Sequence, residues 1–94
     1  MATKSQINRV KEIDMIDLIM HSGIRYTRGR GHVKIGCVFH GPERTPSLTI
    51  YHDHFFCFGC QSKGDVITLA QEIWDVPFGD AVKILIDYMD ENNL

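Results

Sequence analysis

The chain has 94 residues, 44% of them hydrophobic and 23% charged, with a formal net charge of −2. That length supports one domain with a limited core, for which a disulfide or a metal is a common staple. No run approaches the ~18 apolar residues of a membrane span, and Asp14 and Asp17 interrupt the first hydrophobic stretch, so a cytoplasmic protein without a leader or membrane partner is expected.

In chain order, "QINRVKEIDMIDLIMHSG" reads as helix in two pieces, with Ile7, Val10 and Ile13 on a face that Ile16, Ile19 and Met20 continue. Asp14 is placed to cap the second piece, Asp17 sits near its positive end, and Gly23 suits its C-terminal stop. In "IRYTRGRGHVKIG", Gly29 and Gly31 among arginines suggest a loop or hairpin, and "HVKIG" alternates as a short strand. "SLTIY" and "HFFCF" are two further strands, β-branched and aromatic, parted by a tight turn at His52-Asp53. A helix opens near Gly64-Asp65, and a last one follows from "DVPF", with Pro77 in its first turn. Phe78, Ala81, Val82, Leu85 and Met89 share one of its faces. The expected fold is α+β, a small ribbon of three short antiparallel strands flanked by helices at both ends. A single domain over 1–94 divides into a helical lead-in (1–24), the ribbon (25–63) and two helices (64–94).

All three cysteines fall in "CVFHGPERTPSLTIYHDHFFCFGC", as Cys37-x2-His40 and, sixteen residues on, Cys57-x2-Cys60. A two-residue gap lets one tight turn aim both side chains at one ion, and thiolate with neutral imidazole is the donor set of tetrahedral zinc. Cys37, His40, Cys57 and Cys60 would close the coordination sphere, giving one structural Zn²⁺ with no position for a reacting water. His54, His52 and His32 lie near enough in sequence to leave the fourth ligand open. A dithiol redox motif would need the second pair at a helix start, whereas "FFCFGCQSKG" runs from strand into turn.

Charge is divided unevenly along the chain. Residues 25–63 hold six cations against two acids, a balance of +4, and residues 64–94 hold one cation against seven acids, a balance of −6. Within the basic part, Arg28, Arg30, Lys34, Arg44 and Lys63 surround Tyr51, Phe55, Phe56 and Phe58. A small sheet cannot bury every ring, and a ring exposed among cations is what single-stranded nucleic acid stacks on. The sequence does not separate the solvent-facing ring from the core ring.

Quoted together, "CVFHGPERTPSLTIYHDHFFCFGC", "GDVI" at 64–67 and "VPF" at 76–78 resemble the N-terminal zinc-binding domain of bacterial DnaG-type primases, and the likeness extends upstream to "EIDMIDLIMHSGIRY". The resemblance implies a zinc ribbon with Cys37, His40, Cys57 and Cys60 as ligands. It also implies a role in gripping single-stranded template DNA at primer initiation, while a separate domain makes the phosphodiester bonds. By position it points to Arg30, Lys34, Arg44 and Phe55 or Phe58 on the DNA side, with Thr45, Pro46 and Ser47 as the loop of the pattern. Val38 replaces a usual proline, Gly41-Pro42 adds a residue before the loop, and Leu48 replaces a usual phenylalanine. No carboxylate cluster for Mg²⁺ and no nucleotide-binding glycine loop is visible. The chain is therefore expected to be no enzyme by itself. It would bind single-stranded DNA and act with a catalytic primase, helicase or replication initiator, or serve as a protein adaptor to one of these.

Overall fold

The computed structural model describes residues 3–36, 48–59 and 61–92. The helical lead-in is split as the sequence predicts. Helix α1 (Lys4–Val10) opens on a reciprocal cap, in which the Gln6 amide donates to Thr3 Oγ1 at 3.1 Å and the Thr3 amide donates to Gln6 Oε1 at 3.0 Å. Helix α2 (Met15–His21) starts at Asp14, whose carboxylate accepts from the Ile16 amide at 3.0 Å, and Gly23 leaves it at φ +80. Asp14 also accepts from His52 Nδ1 at 2.7 Å, while the Met15 amide donates to the His52 carbonyl at 2.9 Å. One acid thus satisfies a helix end and ties it to a turn of the sheet, where caps of this kind contribute about 0.5–2 kcal/mol.

Five strands follow rather than three: β1 (Thr27–Gly29), β2 (His32–Ile35), β3 (Leu48–Ile50), β4 (Phe55–Cys57) and β5 (Lys63–Gly64). They form one antiparallel meander in sequence order. The two extra strands are the short edges, mostly exposed, so neither carries the alternating apolar pattern by which a strand is recognised. Helix α3 (Val66–Trp74) is capped by Asp65, which accepts from the Ile67 and Thr68 amides, both at 3.1 Å. Helix α4 (Phe78–Glu91) begins immediately after Pro77, which is its cap rather than a first-turn residue.

Register fixes the two faces of the sheet. Val33, Ile35, Leu48, Ile50, Phe55 and Cys57 share the inner face and are all buried. They join Val10, Met15, Ile19, Leu69, Val82 and Leu85 of the helices in one hydrophobic cluster. The helices therefore cover one face of the sheet and leave the other to a separate task. Phe78, expected on the apolar face of the last helix, is instead 44% exposed. It is the first helical residue, and a helical side chain leans back toward the N-terminus, which carries this ring past the core.

Candidate metal knuckle and sheet face

Cys57 is the last residue of β4 and is fully buried, opposite Leu48. Immediately after it the chain reverses. The Cys57 amide donates to the Ser62 carbonyl and the Gln61 amide donates to the Cys57 carbonyl, both at 2.8 Å. Gln61 takes a left-handed φ of 63°, uncommon for a residue with a side chain, and closes the turn. A sulfur donor at the mouth of such a turn, with Cys60 three positions on in the sequence, is chemically suited to a soft tetrahedral ion. Cys37, His40 and Cys60 lie outside the described residues, and among the described residues no group of three or more metal-binding side chains occurs.

The sheet nevertheless constrains where these ligands start. Ile35, Leu48 and Cys57 stand abreast at one end. The described chain stops at Gly36, just past Ile35, and resumes at Leu48, so the residues on either side of 37–47 lie at the Cys57 end. The three histidines named as alternatives to His40 sit at the opposite end. His32 begins β2, and His52 and His54 are in the turn between β3 and β4, with His54 about 10 Å from Cys57 along the strand at 3.3 Å per residue. His52 Nδ1 is bonded to Asp14, and His54 Nδ1 donates to Asp53 at 2.7 Å, which holds the Asp53 carboxyl below its ordinary range. Among the described residues, His32, His52 and His54 thus lie away from Cys57.

The outer face is built one residue per strand. Thr27, Lys34, Thr49, Phe56 and Lys63 pair directly across the sheet. Lys34 and Lys63 are exposed, and Phe58, beyond the end of β4, sets its ring edge-on to Phe56 at 5.0 Å and 73°. Phe58 is 65% exposed, the most open large hydrophobic residue described. One step along the strands, Tyr51 stacks on His54 at 4.5 Å and 16°, with His32 6.0 Å away on its other flank. Thr49, at the centre, is buried, and its hydroxyl finds no partner among the described residues.

Several sequence expectations change on this frame. Phe55 is 0% exposed and belongs to the core, so it is removed from the DNA-facing set. It shares the inner face with Cys57, two residues on, because side chains alternate along a strand. Phe56, which the sequence left unassigned between core and surface, is turned outward by the same alternation, and it joins the candidate surface with Tyr51, His32 and His54. The signal lies in the spacing to Cys57: a buried side chain there places Phe55, two residues back, on the same inner face. Arg28 stays exposed but lies on the other side of the sheet. It pairs with Val33, on the helix side, and its guanidinium donates to Met20 Sδ at 3.7 Å. Arg30 is exposed in the turn between β1 and β2. Arg44, Thr45 and Ser47 lie outside the described residues.

Comparison with known proteins agrees with this geometry. The CHC2 zinc finger family model matches residues 2–93. A protein named DNA primase from Staphylococcus aureus strain COL is 40% identical over 87 residues, which is 89% of this chain and 14% of the relative. The DNA primase of Staphylococcus epidermidis is 40% identical over 85 residues, again covering 14% of its length. The chain thus spans about a seventh of the relatives it matches. Among solved structures, the Aquifex aeolicus primase, comprising zinc-binding and RNA polymerase domains, superposes with a TM-score of 0.73 at 27% identity, covering 94% of this chain and 22% of that one. With its five-stranded meander between two pairs of helices, the chain belongs to the CHC2 zinc finger family of DnaG-type DNA primases.

Proposed function

We propose that the outer face of the sheet is a platform for single-stranded DNA, and that the protein supports primer initiation alongside a catalytic primase, helicase or replication initiator carried elsewhere. The observation that carries this reading is the row Lys34–Thr49–Phe56–Lys63 with Phe58 open beside it. Cations at both ends of the row suit phosphates, and the Phe56 ring between them, with Phe58 beside it, suits unstacked bases, which contribute about 1–3 kcal/mol each. The Tyr51–His54 stack extends the aromatic surface along the strands. One zinc ion, held by Cys37, His40, Cys57 and Cys60, would fasten the end of the sheet from which Phe58 projects. It would supply rigidity rather than chemistry, since four protein ligands leave no open position. Among the described residues no helix is long and apolar enough to cross a membrane.

Charge supplies the test. Binding of the zinc-loaded protein to a labelled oligothymidylate should weaken as salt rises, with a slope of about 0.7 for each phosphate contact on a single strand. Lys34→Ala with Lys63→Ala should lower the magnitude of that slope by roughly 1.4. Arg28→Ala, on the helix side, should leave it unchanged. Undetectable binding at low salt, or a larger loss from Arg28→Ala than from the lysine pair, would overturn the assignment.

A further inference from the structure

The helical side of the molecule carries a feature that the sheet-face reading does not use. Residues Ile84, Asp87, Tyr88 and Glu91 form an i, i+3, i+4, i+7 stripe on α4. Together with Leu18 of α2 and Trp74 at the end of α3 they line a groove of about 240 Å³. We propose that this groove docks a cationic amphipathic helix of a partner protein.

The groove has an apolar floor, made by Leu18, Trp74, Ile84 and Tyr88, and an acidic rim, made by Asp87 and Glu91. His21 and Ser22 complete the lining, and no lysine or arginine takes part. A second depression adjoins it across the same Tyr88, bounded by Glu12, Asp14 and Asp17. Negative charge therefore flanks Tyr88 on both sides, and burial together with the Asp17 and Asp14 carboxylates pushes its hydroxyl above the ordinary value of 10.0. At about 240 Å³ the space is below the roughly 300–1,000 Å³ typical of small-molecule pockets. A groove between helices, lined by an i, i+3, i+4, i+7 stripe of α4, is instead suited to the apolar face of another helix, recognised by anchors at helical spacing. Complementarity to the acidic rim and to the −6 balance of residues 64–94 requires that this helix be basic. No residue of the sheet lines the groove, so its occupant and DNA on the outer face would not compete for space. The proposal does not depend on the DNA reading.

Trp74 is the single tryptophan of the chain and reports on the groove directly. The probe is a lysine–leucine amphipathic helical peptide of about five turns, with a glutamate–leucine counterpart, titrated into the zinc-loaded protein. The lysine peptide should shift Trp74 emission to the blue and saturate. Asp87→Lys with Glu91→Lys, both exposed positions, should weaken it by at least roughly tenfold, and Asp80→Lys outside the groove should not. An unmoved Trp74 emission at ~1 mM peptide, equal binding of the glutamate peptide, or indifference to the Asp87/Glu91 reversal would overturn the proposal. So would sedimentation showing that the groove is filled by a second copy of the chain. Loss of DNA binding with peptide docking intact would refute the sheet-face reading alone.

Discussion

Cys57→Ser should strip the protein of zinc and abolish its cooperative unfolding transition at 25 °C. The hydroxyl is a far weaker donor to Zn²⁺ than a thiolate, and metal affinity in a small site is folding free energy of order 10–16 kcal/mol. A domain of this size has total stability of roughly 5–15 kcal/mol, so the metal term is large enough to decide whether the ribbon forms. The position sharpens the expectation. Cys57 is fully buried at the end of β4, opposite Leu48, where two amide–carbonyl bonds close the turn to Ser62. An undercoordinated cation left there would be paired with nothing suitable. Elemental analysis under reducing conditions, with circular dichroism through a thermal ramp, measures both outcomes. A chelator acting on the unaltered protein should reproduce the loss, which separates the metal from mere packing of the cysteine. Retention of zinc with unchanged folding in Cys57→Ser, or a melting curve indifferent to chelation, would contradict the ligand assignment.

The second large effect divides two phenylalanines only three residues apart. Phe55→Ala should cost about 3–5 kcal/mol of stability, because the ring is fully enclosed and its removal leaves a cavity. Ile50 and Gly64 flank it across the sheet, and a β-carbon added at Gly64 would come within 3.2 Å of the ring, so there is little slack for the site to collapse. Phe58→Ala should change stability by less than about 0.5 kcal/mol, as for other exposed positions, while weakening oligothymidylate binding by about 1–3 kcal/mol. Urea midpoints and fluorescence anisotropy on the same two variants decide the matter. Similar stability losses for both, or preserved DNA affinity in Phe58→Ala, would contradict the division of the sheet into an inner and an outer face.

The helices were legible in the sequence because their signals are local. Asp14 and Asp65 cap, Gly23 stops, and Val10, Ile19, Leu69 and Leu85 recur on buried faces. The central strands were legible for the same reason. What escaped was set by register, which depends on pairing across the sheet rather than on neighbours in the chain. One step of alternation exchanged Phe55 for Phe56 on the outer face, and one step moved Arg28 from the face of Lys34 to that of Val33. The edge strands β1 and β5 were missed because they bury almost nothing and have no pattern to show. The proposed zinc quartet is the converse. Its spacing is plain in the sequence, whereas of its four members only Cys57 falls among the described residues.

The most direct measurement is an amide chemical-shift map of the isotopically labelled, zinc-loaded protein titrated with oligothymidylate. The largest shifts are expected at Lys34, Thr49, Phe56, Phe58 and Lys63, with Tyr51 and His54 following and Trp74, Ile84 and Asp87 unmoved. Shifts concentrated on α3 and α4, with the outer sheet face silent, would contradict the assignment of that face to DNA.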